Sequence, residues 1–194
     1  MRALIHLPII HGISDLGSVG QALNDTRPAE QSQQQQMAVD HFWNMLETAI
    51  ASFGLNYAKV KIYQDGLPVC GKEAEIVAET ARSGSRNFRL LETLKDKGAT
   101  VMGTESPELL LEEYALMRQT HNLTADQPTA TDTVAKTLLD RRDNYIARRI
   151  ADTLQDEEIG LLFIGLLHSV ETKLPPDISL IQPLGKPKLN LANP

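Results

Sequence analysis

"IGLLFIGLLHSV" (Ile159–Val170) holds eight apolar residues and two glycines around one histidine. A run this short and this apolar reads as a strand covered on both faces, which is the signature of a parallel sheet layered by helices. A charged helical pattern stands before it. Leu138, Ile146 and Ile150 form one stripe there, with Arg142 between them at four-residue spacing. Asp143 borders the same face through Leu139, Ala147 and Ile150. A long helix feeding a buried strand is half of a strand–helix–strand unit, and the rest of the chain repeats that rhythm.

Upstream, Arg2–Leu7 reads as a buried strand stopped by Pro8, which lacks a ladder donor. A helix follows from about Ala29 or Gln34 to Phe53, its stripe made by Val39, Trp43, Leu46, Ile50 and Phe53 and its end by Gly54. "YAKVKIYQDG" alternates Ala58, Val60 and Ile62 with Lys59, Lys61 and Tyr63, which predicts a strand on the less buried, edge side of the sheet. Short helices are expected over about 72–82 and 85–97, then a third strand in "ATVMGTE". A helix capped by Ser106 with Pro107 in its first turn comes next. "ISLIQPL" is a fifth strand. The expectation is one α/β domain over residues 1–194, a largely parallel central sheet of about five strands with helices on both faces. A polar linker or lid is expected near 120–132 and a tail near 185–194.

Composition narrows the function classes. Nineteen Lys and Arg against 25 Asp and Glu give a net charge of -6, which argues against general nucleic-acid binding. No apolar run approaches the roughly 20 residues that span a bilayer, and the N-terminal "MRALIHLPIIHG" reads as a first strand rather than a signal peptide. The single cysteine, Cys70, excludes an intrachain disulfide and fits a reducing cytoplasm. It reads as a small apolar filler. Neither GxGxxG nor a Walker A pattern is present.

In open parallel sheets, ligands bind beyond the carboxyl ends of the strands. His11, Ser14 and Asp15 follow the first strand, Gln64 and Asp65 the second, Thr104 and Glu105 the third. His168, Ser169 and Glu171 follow the fourth. His11 and His168 with Asp65 and Glu105 could ligate a divalent metal through N and O atoms. They could equally form a general acid–base set. Each has a plainer reading: Asp65–Gly66 is an ordinary turn signal, Glu105 suits a helix N-terminus, and His168 could be a satisfied core histidine. Arg142 on a core-facing stripe implies an anion in a pocket, or an internal salt bridge. Arg86 and Asn87 flank a helix start whose amides could hold an anionic cofactor, with capping by Ser83 or Ser85 as the simpler account. Glu112 and Glu113 are expected in solvent, with Leu109, Tyr114 and Met117 on the apolar side of their helix. His6 is expected to be structural, and His41 and His121 to lie at the surface.

The stretch "RRDNYIARRIADTLQDEEIGLLFIGLLHSVETKLPPDISL" resembles the C-terminal part of the TraB/ChaN-like superfamily, which includes the Tiki proteases. That family has a helix of the form ERDxxMAxxI before a strand ending in G-x-x-H. Arg142–Asp143 and Ala147 match the helix motif, and Gly165-Leu166-Leu167-His168 matches G-x-x-H. The family's first histidine motif falls where Ile10-His11-Gly12 lies, without its glycine. Gln64–Asp65 stand in place of the family's second-strand glutamate. The resemblance implies a mixed α/β sheet with both histidines facing one site. It further implies metal binding and, in some members, peptide hydrolysis; others bind haem.

The reading is thus a metal-dependent, hydrolase-like protein with a strand-end His/carboxylate pocket acting on a small-molecule or peptide ligand. The alternatives are a module holding a small ligand, haem or metal without turnover, and an assembly protein using the Trp43 helix, the glutamine run and the tail. A homodimer fits any of these.

Overall fold

The computed structural model describes residues 1–9, 29–120 and 129–184, with side chains left aside at 29–36, 119–120 and 129–132. The sequence's expected linker and tail therefore fall largely outside the described residues, as do His11, Ser14, Asp15 and His121. Strands β1 (Arg2–Ile9), β2 (Val60–Gln64), β3 (Thr100–Met102), β4 (Ile159–Gly165) and β5 (Ile178–Ile181) form one sheet in the order β3-β2-β4-β1-β5. Every pairing is parallel. The α-helices are α1 (Ala29–Ser52), α2 (Glu73–Arg82), α3 (Arg86–Asp96), α4 (Pro107–Thr120) and α5 (Thr129–Thr153).

Side chains alternate across each strand, so each strand feeds two cores. Ile5, Leu7, Val60, Ile62, Leu161 and Phe163 meet Trp43, Leu46 and Ile50 of α1, with Val77 of α2 and Leu91 and Leu94 of α3. Leu4, Tyr63, Leu162 and Ile164 meet Ile146, Ala147 and Ile150 of α5 on the other face. The fold is therefore α/β with helices on both faces. The connections from β1 to β2 and from β2 to β3 move toward the β3 edge and carry α1, α2 and α3 on the first face. The connection from β3 back to β4 carries α5 on the second, as crossovers of one hand require.

The structure departs from the sequence reading at two strands. β2 is not at the edge: it lies between β3 and β4, and Val60, Ile62, Tyr63 and Gln64 are all buried. Its alternation marks two helix-covered faces rather than one wet one. Tyr63 is buried among α5 residues with its hydroxyl 2.9 Å from Thr153 Oγ1. Burial pushes that phenol up to about 12, against the pull of the Thr153 hydrogen bond.

Pro8 does not stop β1, which runs on to Ile9. The Ala3 N–H donates toward the β4 side, to Glu158 O at 3.3 Å. Amides two residues apart share a side, so that of residue 8 would face β5. The β5 pairing ends at Ile5–Ile181, so Pro8 omits a donor where no β5 acceptor lies opposite.

Candidate functional site

The connection leaving β2 runs toward β3, whereas the one leaving β4 runs toward β5. These neighbouring strands therefore form a topological switch point, where a crevice opens at the carboxyl ends. Asp65 is the first residue after β2 and shares the α5 face with Tyr63. Its amide continues the ladder to Phe163 O at 2.9 Å. Its Oδ2 accepts from the Gly165 amide at 2.9 Å, so one carboxylate spans the switch point.

Glu105 is delivered by the segment after β3. Thr104 Oγ1 takes over where that short strand ends, accepting from the Gln64 amide at 2.9 Å and donating to Met102 O at 3.1 Å. Both the Thr104 and Glu105 amides then donate to Leu67 O. The Gly66 amide meets Glu105 Oε1 at 2.8 Å, from a backbone with φ of +75° that only glycine adopts without strain.

Arg142 of α5 points down into this corner and is 5% exposed. Its Nε and Nη2 donate to Glu105 Oε2 and Oε1, both at 2.6 Å, in a two-pronged contact with a carboxylate that is itself 0% exposed. Nη2 also reaches Asp65 Oδ1 at 2.9 Å, and Nη1 donates to Glu113. The internal salt bridge is therefore present, and the anion that Arg142 holds is the chain's own. Burial works against the Arg142 cation, but the Glu105 contact outweighs it and raises the guanidinium's affinity for its proton. For Glu105 the balance falls the other way. Burial and the neighbouring Asp65 charge lift its carboxyl above the usual range despite Arg142.

His168 does not end β4, which stops at Gly165. The G-x-x-H spacing closes a turn, His168 N–H to Gly165 O at 3.2 Å, which folds the ring back over the strand end. Asp143, one residue after Arg142, holds it there. Asp143 Oδ1 lies 2.5 Å from His168 Nδ1, and Oδ2 accepts from the Ser169 amide at 2.8 Å. Nε2 faces Asp65 Oδ2 at 3.5 Å. Burial opposes the imidazolium, yet contacts with Asp143 and then Asp65 win, and the ring is pushed up to about 9. At neutral pH it is a cation with both N–H groups directed at carboxylates.

Four expected site residues thus converge: Asp65, Glu105, Arg142 and His168. His11 lies outside the described residues. Among the described residues no group of three or more His, Cys, Asp or Glu side chains could hold a metal ion. Arg86 and Asn87 do not join the cluster. Arg86 is tied to α1 through Glu47, Asn44 and the Asp40 carbonyl. Ser85 caps α3 by accepting from the Phe88 amide at 3.1 Å. Asn87 is fully buried with both amide atoms unpartnered.

Two further readings need correction. Cys70 is exposed, not a core filler. Glu113 faces inward to Arg142, while Tyr114 and Met117 are exposed, so the inner face of α4 runs through Leu109 and Glu113 instead. Glu113 lies one turn beyond the buried Leu109, on the side of the helix that meets Arg142. His6 is buried and pairs with Gln182 through Nδ1, as a structural histidine should.

Two clefts open elsewhere. One lies between α1 and α3, and the other between α4 and α5 around Leu116, Val134 and Leu138. No helix among the described residues is long and apolar enough to cross a membrane. Comparison with protein-family models, with curated proteins and with solved structures gives no match in any of the three, so nothing outside the chain bears on the TraB/ChaN-like resemblance.

Proposed function

We propose that the switch-point cluster is the acid–base centre of a hydrolase-like enzyme acting on a small polar or peptidic amide or ester. The observation that supports this reading is the His168 imidazolium, held by Asp143 at Nδ1 and facing Asp65 Oδ2 with Nε2 at 3.5 Å, at the carboxyl ends of the switch-point strands. A ring oriented by one carboxylate, with its other nitrogen facing a second carboxylate, is an arrangement suited to an acid–base pair. His168 would deliver its Nε2 proton to a leaving group or carbonyl oxygen entering between it and Asp65. Asp65 would then take a proton from the attacking water. Asp143 is the positioning residue for the ring, and Arg142 with Glu105 fixes Asp65. Glu105 is poorly placed to activate water itself, since both its oxygens are engaged by Arg142.

The described residues do not suit a metal, because no three His, Cys, Asp or Glu side chains among them converge as a ligand set, and His168 Nδ1 is already held by Asp143. No step is therefore routed through one. A cytoplasmic setting belongs to the same proposal, supported by the lone cysteine.

The second reading, a module that binds a ligand without turnover, draws support from the saturation of Arg142 by three carboxylates of its own chain. The two separate on activity. Purified protein is assayed with p-nitrophenyl acetate, p-nitroacetanilide and a fluorogenic peptide mixture, beside His168→Gln. Turnover lost in the variant, with folding intact by circular dichroism, supports the enzyme. Turnover that persists in the variant, or none above buffer with any of the probes, overturns it in favour of the binding module.

A further inference from the structure

A second site lies on the opposite helical layer. Arg86, Arg89, Thr93 and Lys97 step along one side of α3 at three- and four-residue intervals, beside the C-terminal half of α1. Between the two helices is a cleft of about 390 Å³. That falls within the roughly 300–1,000 Å³ typical of small-molecule pockets. Its floor is apolar, made by the buried side chains of Ile50, Leu90 and Leu94. Its wall at the Lys97 end is the ring of Tyr57, with Lys97 Nζ 5.3 Å from the ring centre.

The charge around this cleft opposes that of the protein. Three cations, Arg86, Arg89 and Lys97, line the cleft with one carboxylate, Glu47, and Asp40 adds a second carboxylate 3.6 Å from Arg86, a local balance of +1 in a chain of net charge -6. Glu47 is already bound to Arg86 at 3.0 Å, and Arg86 is further fixed by Asn44 and the Asp40 carbonyl. Arg86 thus serves as a rigid end wall. Arg89 and Lys97 are exposed and make no ion pair among the described residues, so two cations stand over an apolar floor beside an aromatic face. An anion alone would leave the floor unused, and a neutral apolar body would leave the cations unused.

We propose that the α1–α3 cleft binds a small aromatic anion, its carboxylate or phosphate taken by Arg89 and Lys97 and its ring laid over Leu90 and Leu94 against Tyr57. Guanidinium and ammonium donors supply charge-assisted hydrogen bonds to the anionic group. The site stands apart from the His168 cluster, and its occupancy does not depend on the activity proposed there.

The test uses 1-naphthoate, followed by calorimetry and by backbone amide shifts of the full chain. Its neutral analogue, 1-naphthalenemethanol, is the control. The expected result is saturable one-to-one binding with shifts centred on residues 50–57 and 86–97. Arg89→Glu and Lys97→Glu should each weaken it by about tenfold or more, and the neutral analogue should bind about tenfold more weakly. Both substitutions are at exposed positions and should leave the fold intact, which circular dichroism checks, and His168→Gln should leave binding unchanged. Binding absent up to about 5 mM would overturn the proposal, since a weaker site would be worth under about 3 kcal/mol. Equal affinity for the neutral analogue, or affinity unmoved by either charge reversal, would overturn it as well.

Discussion

Replacing Arg142 with methionine keeps an unbranched apolar stem in place and deletes the charge. In the native protein this guanidinium satisfies Glu105 through two hydrogen bonds of 2.6 Å, Asp65 through one of 2.9 Å, and Glu113 at the rim. Glu105 is 0% and Asp65 6% exposed, so neither can recover water when the cation goes. Removing one partner of a buried pair costs about 3–5 kcal/mol. Some compensation survives, because Glu105 keeps the Gly66 amide and Asp65 the Gly165 amide, which places the expectation near the lower bound, about 3 kcal/mol. The loss should also depend on pH. Without its cation, the Glu105 carboxyl rises further above its ordinary value. A folded-state value raised in this way gives stability present below the unfolded value and lost as pH rises. The penalty for Arg142→Met therefore grows from pH 5 to pH 7, a window in which folded His168 stays protonated. Urea unfolding followed by circular dichroism at the two pH values measures it. Arg142→Lys, which keeps charge but loses the fork, should recover only part. A loss below about 1 kcal/mol at pH 7, or an equal loss at both pH values, would refute the claim that these carboxylates depend on Arg142.

Native stability itself should fall between about pH 6.5 and 9. The folded His168 value near 9 lies above the free-imidazole value of 6.5, so its contribution is complete below 6.5 and gone above 9. The total is on the order of 3 kcal/mol, and His168→Asn should flatten that limb of the curve. A wild-type curve that is level across this range contradicts the charged-pair reading. Gly160→Ala should destabilise by about 1–3 kcal/mol, because a Cβ there would sit 2.5 Å from Leu4 Cδ1 and 3.2 Å from the Tyr63 ring. Trimming Leu4 as well, in Leu4→Val/Gly160→Ala, should cost less than the two changes added, a coupling that thermal unfolding of the four proteins resolves.

The fold was legible because its signals are local. The apolar run at 159–165, the stripe of Trp43, Leu46 and Ile50, and the Ser106–Pro107 helix start each fix an element without reference to a distant residue. β2 was harder. Alternation reports that two faces differ, and Lys61 beside Tyr63 looks like a wet face when it is a helix-covered one. Pro8 was misread because its cost depends on which neighbour its missing amide would face, and that is a property of sheet order. At the site, the residue types were visible and the pairings were not. Arg142 and Asp143 adjoin in sequence, yet one serves Glu105 and the other His168, since consecutive helical residues diverge by about 100°. Glu113 passed for a solvated glutamate because its inward direction is decided by Arg142, which lies on another helix.

The central claim is that His168 is held as a cation between Asp143 and Asp65. An NMR titration of its imidazole nitrogens, in the native protein and in Asp143→Asn, tests this most directly. The account predicts a native midpoint near 9, with Nδ1 protonated and hydrogen-bonded throughout, and a midpoint lowered toward or below 6.5 in the variant. A native midpoint at or below 6.5, or one that the Asp143 substitution leaves in place, would contradict it.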